Sequence, residues 1–436
     1  MVLSDQKSIL LKNGHVIDPA TGLDSVTDIL VKEGRISLIA PGITPEEGEE
    51  VIDVGGKYVV PGLVDCHVHL RDFEERQRET IYSGTRAAVM GGFTTVICEP
   101  NTRPPLDSCE RLETLRGKVE REALCRVFAK AAMTKNRQGE VLTDFKALKG
   151  HPLVVSLSED GNPIVDEGLM GEICRQAASH QLPLSLHCED SAFSLSKGAV
   201  KLGFSPRAPF HNEPGFIARD LRLAREAGAS VHVSHVSLEE SVQIIGEAKR
   251  TGTAKITCEV APHHLFLDEG QKGPDGLPIT VNPPLRGKRD CISLQKAVKD
   301  GIIDVIASDH APHGEADKKA GAPGLIGLET TLGVALTRLV SPGIISLKEA
   351  VRLMSTNPAR IFGLEGGSLA VGSPADITVI DTEREWTVDS QRFQSLSRNC
   401  PFEGWRLRGQ AVLTMVGGRV VMREGIISDS SGSVKE

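Results

Sequence analysis

Two histidines and an arginine stand at alternate positions in the stretch VDCHVHLRD. The run that leads into it, YVVPGLVDCHVHL, is rich in β-branched residues and predicts a strand with a kink at Pro61-Gly62. Side chains alternate faces along a strand, so His67, His69 and Arg71 are expected on one face. Two imidazoles on one face can chelate zinc, although two hydrogen-bonded structural histidines would give the same local pattern.

Other residues with metal-binding side chains follow further strand-like runs. These runs end near residues 66–69 and then at FTTVICE, CRVFAKAA, PLVVSLS, PLSLHC, SVHVSH, AKITCEV and IDVIAS. Glu159 and Asp160 follow the fourth run, His187 and His235 end the fifth and sixth, and Asp309 follows the eighth. Five of eight strand ends therefore carry a candidate ligand, which argues against a purely structural role for His67 and His69.

The elements between these runs explain how such ligands could meet. Helical patterns such as RETIYSGTRAAVMGG and LEESVQIIGEAKRTG separate the strands, which indicates repeated βα units. Eight units predict an α/β protein with a (β/α)₈ TIM-like barrel, in which active sites lie at the carboxyl ends of the strands. A doubly wound sheet remains the alternative. A later helix is predicted at TNPARIFGL, with Asn357 as N-cap.

The sequence pattern at both ends of the chain differs from that of this central part. Residues 8–56 alternate apolar and polar positions between glycine turns, which predicts an antiparallel meander, and the same pattern returns near the C-terminus. Residues 1–56 and 366–436 are predicted to form one small β-sandwich, and the second segment is predicted to end in a flexible tail. The barrel is predicted at residues 57–365, between these two segments.

Composition limits the classes of partner. The net charge is −8 with no basic tract, which argues against nucleic acid. No apolar run approaches the roughly 20 residues that span a bilayer, and the N-terminus lacks a signal-peptide pattern. Nine cysteines without a CxxC pair indicate a reducing compartment. We therefore expect a cytoplasmic protein with neither a nucleic-acid nor a membrane partner.

The ordered set VDCHVHLRD, EPNTRPP, LSEDG, HCED, SHVS, VNPPLR and SDHAPH resembles the amidohydrolase superfamily, and within it the class I dihydroorotases. The likeness runs through to GSPADITVID near the C-terminus. It implies a zinc-dependent hydrolase that interconverts N-carbamoyl-L-aspartate and L-dihydroorotate in pyrimidine synthesis. The metal ligands that it implies are His67, His69, Asp160, His187, His235 and Asp309.

The same resemblance implies a substrate pocket beside the metal. Asp309 would be the catalytic base, and a zinc ion would activate water by lowering its pKa to about 7. Arg71 suits the substrate carboxylate because a guanidinium binds it bidentately. The substrate contacts implied are His69, Arg71, Asn101, Asn282, His313 and the backbone of Pro323 and Gly324.

One position departs from the wider superfamily. Many members bridge two metals with a carboxylated lysine at the fourth strand, but PLVVSLSEDG contains no lysine. Asp160 is then the expected bridging ligand, with Glu159 as its neighbour, and one or two zinc ions are expected. The loop at 312–324 is either a lid or an ordinary surface loop.

Three other functions stay open. A hydantoinase or allantoinase would share the metal site, but a neutral hydantoin needs no carboxylate clamp at Arg71. A catalytically silent subunit of an aspartate carbamoyltransferase assembly would be expected to lack ligands that are present here. A binding protein would not need a base among its ligands. A homo-oligomer and a complex with aspartate carbamoyltransferase are the macromolecular partners expected.

Overall fold

The computed structural model describes residues 8–189, 212–252, 255–273, 276 and 278–428. The flexible tail predicted at the C-terminus lies mostly outside these residues. Within the described part of the chain, no helix is long and apolar enough to cross a membrane.

Seventeen strands are described. They are β1 (Ile9–Asp18), β2 (Leu23–Lys32), β3 (Arg35–Ala40), β4 (Glu50–Asp53), β5 (Tyr58–Pro61), β6 (Leu63–Val68), β7 (Phe93–Cys98), β8 (Arg126–Ala132), β9 (Val154–Ser158), β10 (Leu184–Leu186), β11 (Val231–Val233), β12 (Ile256–Val260), β13 (Val305–Ile306), β14 (Ile377–Thr387), β15 (Arg406–Val416), β16 (Arg419–Arg423) and β17 (Ile426–Ile427).

The α-helices described lie mainly between the strands β6 to β14. They are α1 (Ile81–Met90), α2 (Cys109–Glu122), α3 (Phe145–Lys149), α4 (Glu167–His180), α5 (Glu213–Ala227), α6 (Glu239–Thr251), α7 (Pro262–Phe266), α8 (Lys288–Lys299), α9 (Glu315–Lys319), α10 (Thr331–Ala335), α11 (Leu347–Val351) and α12 (Asn357–Ile361).

The strands β6 to β13 form one parallel sheet in chain order. The sheet closes on itself, because the backbone N–H of His69 donates to the carbonyl of His310 at 2.8 Å and Val68 forms a parallel bridge with His310. Closure of an eight-stranded sheet makes a barrel, not an open doubly wound sheet. The predicted (β/α)₈ barrel is therefore confirmed, with all eight predicted strands present.

The two chain ends form a second, nine-stranded sheet. β5 joins them, because it pairs parallel to β1 and antiparallel to β14. Residues from both ends, including Ile29, Ile52 and Val379, share one buried apolar cluster, so the predicted β-domain is confirmed. The predicted meander holds for β1 to β3, whereas β4 pairs parallel to β1.

The kink at Gly62 separates the two sheets, because β5 before it pairs in the terminal sheet and β6 after it pairs in the barrel. An ideal Cβ on Gly62 would lie 2.1 Å from Thr94 Oγ1, which is far closer than atoms can approach. The change of sheet therefore needs a residue without a side chain at this position. It also fixes where β6 begins, and so where His67 and His69 lie.

We expect Gly62→Ala to lower the free energy of unfolding by about 1–3 kcal/mol, because the added methyl group overpacks the junction. Chemical denaturation of purified protein would measure it. Gly366→Ala is the matched control, since a Cβ there meets no atom within 4 Å. Equal stability of the two variants would show that the junction relaxes around the methyl group.

The helix predicted at TNPARIFGL does not start at Asn357, so the N-cap prediction was wrong. Leu347–Val351, a π-helical turn at Arg352–Thr356 and α12 follow one another without a break. Asn357 has helical φ and ψ of −66° and −52°, and its side chain donates to the carbonyl of Asp304 at 2.8 Å. The amide therefore ties the helix to the barrel instead of capping it.

Candidate metal and substrate site

The six predicted metal ligands lie together at the carboxyl ends of the barrel strands, and all are buried. Among the described residues, two groups drawn from these six ligands could each hold a metal ion. The first is His67, His69 and Asp309, and the second is His67, Asp160 and His235; within each group the ligand atoms lie within 4.8 Å of one another. The groups share His67, so they are adjacent.

Asp160 lies at the centre of the four histidines. Its Oδ1 is 3.4 Å from His67 Nε2, 3.3 Å from His187 Nδ1 and 3.5 Å from His235 Nε2. Its Oδ2 is 3.7 Å from His69 Nε2. A carboxylate whose two oxygens face different histidines has the arrangement of a bridging ligand. This geometry supports the expectation that Asp160 is the bridging ligand, which stays a prediction.

The donor set fits a divalent metal. His67 Nε2 is buried and has no hydrogen-bond partner among the described residues, although carboxylate oxygens of Asp160, Asp309 and Glu99 lie 3.4, 3.5 and 3.7 Å away. A buried lone pair that converges with several anionic oxygens without bonding to them is stabilised by a cation between them. Imidazole and carboxylate together are ligands that zinc accepts.

The histidines also set the charge state of the two aspartates. Burial alone would raise the pKa of Asp160, but hydrogen bonds from His187 and His235 outweigh it and hold the pKa well below its usual range. Burial likewise opposes ionisation of Asp309, and the neighbouring rings of His67 and His69 again lower its pKa. Both carboxylates are therefore ionised and able to bind a cation.

Three site residues have left-handed backbone conformations that side chains disfavour. The φ angles are 51° at Arg71, 34° at His235 and 48° at Asp309. Such conformations cost about 1–3 kcal/mol each and persist where surrounding contacts fix them. Around Asp309, the carboxylate of Asp65 supplies such contacts, because it accepts from the backbone N–H groups of His67 and Ser308.

The Glu159 carboxylate has different partners from the carboxylate of its neighbour Asp160. Its carboxylate accepts from the backbone N–H groups of Met133 and Thr134, at 3.0 and 3.1 Å, and from the Thr134 hydroxyl. It therefore anchors the end of β9 to the end of β8. That anchor leaves Asp160 as the carboxylate of the pair that faces the histidines.

Arg71 and His313 lie together beside the candidate ligands. Arg71 Nε donates to the carbonyl of Pro312 at 3.3 Å, and its Nη2 lies 3.2 Å from His313 Nε2. Among the residues that the structure describes, no carboxylate forms an ion pair with this guanidinium. Burial lowers the pKa of Arg71 to about 10, and burial with the Arg71 charge lowers the pKa of His313 to about 3. Neutral His313 and charged Arg71 therefore coexist at neutral pH.

The two predicted asparagines contact candidate metal ligands. Asn101 Oδ1 is 2.8 Å from His69 Nδ1, and its Nδ2 donates to Asp160 Oδ2 at 3.1 Å. Asn282 Nδ2 is 3.2 Å from His187 Nε2. Each asparagine thus lies at the edge of the metal site. Their predicted contacts with substrate stay predictions.

Gly324 has a φ of 144°, and a Cβ there would lie 2.7 Å from both the carbonyl oxygen of Ala311 and the His313 ring. Its N–H donates to the carbonyl of Thr280, and its carbonyl accepts from Lys318 and Asn399. These contacts hold the backbone of Gly324 against His313. Pro323 beside it is exposed. The predicted substrate contact of this pair stays a prediction.

The loop at 312–324 contains α9 and is fastened at two points. Lys318 Nζ donates to the carbonyls of Thr280, Ala322 and Gly324 at 2.7–3.0 Å. Asp317 binds the guanidinium of Arg78 through both oxygens, at 2.8 and 2.9 Å. The loop is therefore held against the Arg71 side of the site. Its role as a lid stays a prediction.

Sequence reasoning missed four polar residues beneath the candidate metal position. Glu99 follows β7, Lys130 lies on β8, Glu259 lies on β12 and His232 lies on β11. All four are buried; Lys130 pairs with Glu99, and Glu259 contacts His67 and His232. The available signal was a charged residue at the end of an apolar run, as in FTTVICE and AKITCEV.

The chain matches the amidohydrolase family over residues 58–421. It is 42% identical to a dihydroorotase of Aquifex aeolicus (strain VF5) over 424 residues, which cover 95% of this chain and 99% of the relative. It is also 42% identical to a dihydroorotase of Geobacillus sp. (strain WCH70) over 429 residues, 96% of this chain and 99% of that one. The chain therefore belongs to the amidohydrolase family, and within it to the family of the dihydroorotases.

Solved structures with the same fold include hydantoinases. An L-hydantoinase (dihydropyrimidinase) from Arthrobacter aurescens has a TM-score of 0.87 at 29% identity, with 97% of both chains covered. A D-hydantoinase (dihydropyrimidinase) from Thermus sp. has a TM-score of 0.84 at 28% identity, with 96% of both chains covered. The barrel with its β-domain is thus common to enzymes whose names denote different cyclic substrates, so the fold alone does not choose the substrate.

Proposed function

We propose that this chain is a zinc-dependent dihydroorotase that interconverts N-carbamoyl-L-aspartate and L-dihydroorotate in pyrimidine synthesis. The curated relatives that cover nearly all of the chain bear that name. In the hydrolytic direction, water cleaves a ring amide bond of L-dihydroorotate. In the cyclisation direction, the carbamoyl nitrogen of N-carbamoyl-L-aspartate attacks the side-chain carboxyl group, the ring amide forms and water leaves.

The observation that carries the proposal is the pairing of Arg71 with His313. A guanidinium can only donate hydrogen bonds, so His313 Nε2 accepts from Arg71 and His313 Nδ1 carries the hydrogen. That Nδ1 is buried and has no partner among the described residues. In the described part of the chain, the buried Arg71 cation therefore has no carboxylate partner and the buried donor beside it has no acceptor. This arrangement suits the free carboxylate of dihydroorotate.

The other site residues have roles that follow from their positions. Bound zinc would polarise the amide carbonyl and activate water, held by the six residues named above. Asp309 would accept the proton from the attacking water and deliver it to the departing ring nitrogen. Asn101 and Asn282, at the edge of the site, would orient the substrate by hydrogen bonds. Arg71 and His313 would hold the carboxylate so that the amide faces Asp309.

The cellular setting forms part of the same proposal. All nine cysteines are free, and eight of them are buried, which agrees with a reducing compartment such as the cytoplasm. A homo-oligomer and an association with aspartate carbamoyltransferase stay predictions. Size-exclusion chromatography of the protein alone, and of a mixture with the carbamoyltransferase of the same organism, would test both.

Arg71→Met is the test of the carboxylate clamp. A charge-assisted bidentate contact contributes on the order of 2–4 kcal/mol, so kcat/KM for L-dihydroorotate should fall by roughly 30- to 1,000-fold while bound zinc is retained. Arg71→Lys should restore only part of the loss, because an ammonium offers a point charge in place of a fork. Steady-state kinetics with metal analysis of each variant gives both readouts.

The matched control for this substitution is Arg76→Met in the same segment. Arg76 is half exposed and pairs with Asp72, so its loss should leave kcat/KM nearly unchanged. Dihydrouracil, which lacks the carboxylate, should be a poor substrate that responds little to Arg71→Met. Unchanged dihydroorotate turnover in Arg71→Met would favour a hydantoinase-type substrate over the proposed one.

A further inference from the structure

Glu259 lies at the bottom of the candidate metal site and is 1% exposed. Its Oε1 is 2.5 Å from His67 Nδ1 and 3.3 Å from the backbone nitrogen of His235. Its Oε2 is 3.0 Å from His232 Nε2 and 3.1 Å from Cys66 Sγ. One carboxylate thus contacts two predicted ligands, through the ring of one and the backbone of the other.

These contacts fix the tautomer of His67. An ionised carboxylate can only accept, so the hydrogen of the neutral His67 ring must lie on Nδ1. The lone pair is then on Nε2, which is the atom that faces Asp160 and Asp309. If the hydrogen moved to Nε2, His67 could not bind a metal at that position.

The surroundings hold Glu259 itself in place. His232 and Cys66 donate to Glu259 Oε2, whereas His67 contacts Oε1. Because both oxygens have partners, the carboxylate cannot rotate freely. Lys130, which is fully buried and pairs with Glu99, contributes a positive charge to the same layer. That charge attracts the Glu259 carboxylate in a place where burial disfavours a charged group.

We propose that Glu259 is a positioning residue for metal binding: it holds His67 in the Nδ1–H tautomer and orientation that present Nε2 to the metal. His232 acts through Glu259 in turn. The inference deepens the proposed function and rests on the metal site described there. It assigns Glu259 no contact with substrate and no part in proton transfer.

The test measures zinc affinity, not activity. Glu259→Gln keeps the shape of the side chain but removes the charge that selects the tautomer. Loss of such a ligand-orienting partner typically weakens metal affinity by about 10–100-fold. Metal-free full-length protein would be titrated with zinc against a chromophoric chelator, and the thermal midpoint of the metal-free protein would be recorded. Cobalt substituted for zinc would report ligand geometry through its visible absorption spectrum.

Asp220→Asn is the matched control, because Asp220 is a buried carboxylate that pairs with Arg219 on α5. We expect Glu259→Gln alone to weaken zinc binding by about 10–100-fold and to change the cobalt spectrum, with metal-free thermal midpoints of both variants alike. Zinc affinity and a cobalt spectrum equal to wild type in Glu259→Gln would overturn the inference. An equal loss of affinity in Asp220→Asn would do so too.

The wild-type titration separates this inference from the proposed function. Wild-type protein that binds no zinc would refute the metal site itself, whereas tight wild-type binding that survives Glu259→Gln refutes only the role of Glu259. If Glu259→Gln does not fold, the second variant is His232→Gln, which removes a hydrogen-bond donor to Glu259 and leaves the contact of Glu259 with His67 in place. Weaker zinc binding at an unchanged thermal midpoint would then support the inference, and unchanged zinc affinity would overturn it.

Discussion

Asp309→Asn is expected to lower kcat for L-dihydroorotate by about 10²–10⁴-fold, the usual loss when a general base is removed. Asparagine has the same size and still offers an oxygen to the metal, but it cannot accept a proton. Asp309 is 5% exposed, with Oδ1 3.3 Å from His69 Nε2 and 3.5 Å from His67 Nε2. Its position among the ligands is what makes it the candidate base.

The measurement is steady-state kinetics in both directions, with the metal content of each preparation determined alongside. Asp304→Asn serves as a control at the start of the same barrel strand, because Asp304 directly precedes β13 and pairs with Lys249 away from the candidate ligands. It should leave kcat within a few-fold of wild type. A wild-type kcat in metal-loaded Asp309→Asn would reassign the base, with His313 as the next candidate.

Removal of the metal is expected to abolish activity, and zinc to restore it. Without a cation, the ionised carboxylates of Asp160 and Asp309 both face His67 Nε2, which has no hydrogen-bond partner in the described ranges, and no positive charge lies between them. Dialysis against a chelator, followed by an activity assay and metal analysis, tests this. A ligand at 100 times its Kd stabilises a protein by about 2.7 kcal/mol, so the thermal midpoint should fall when the metal is removed.

The control for metal removal is the same chelator already saturated with zinc, which should leave activity unchanged. Reloading should reach full activity at one or two equivalents of zinc per chain, which also gives the number of metals. Full activity in protein shown to contain no metal would end the metal-dependent account. It would leave Asp309 to activate water without assistance.

The positions of the candidate ligands were predictable because strand periodicity and barrel closure act together. The sequence shows which residues end each strand, and a closed parallel barrel brings all such ends to one rim. His187 and Asp309, which are far apart in sequence, could therefore be placed together from pattern alone. The kink at Gly62 was also predictable from the sequence. Only the strand pairing shows that the kink also divides the two sheets, since β5 pairs with β14 and β6 pairs with β7.

The supporting contacts were not predictable in the same way. Glu259 and Lys130 occupy strand positions where a charged residue is costly, and only the folded barrel shows that each has a partner. Asn357 has the local sequence of an N-cap, yet tertiary packing makes it part of a continuous helix and directs its amide to Asp304. Local propensity is a weak guide where a side chain has a partner distant in sequence.

Substrate preference tests the central claim most directly. The wild-type protein, loaded with zinc, would be assayed for kcat/KM on L-dihydroorotate, dihydrouracil and hydantoin under one set of conditions. The Arg71 guanidinium has no ion pair with a carboxylate among the described residues, and His313 Nδ1 is a buried donor beside it. Together they predict that L-dihydroorotate is preferred by roughly 30-fold or more, since the other two lack its carboxylate. Equal or better turnover of hydantoin or dihydrouracil would contradict the account.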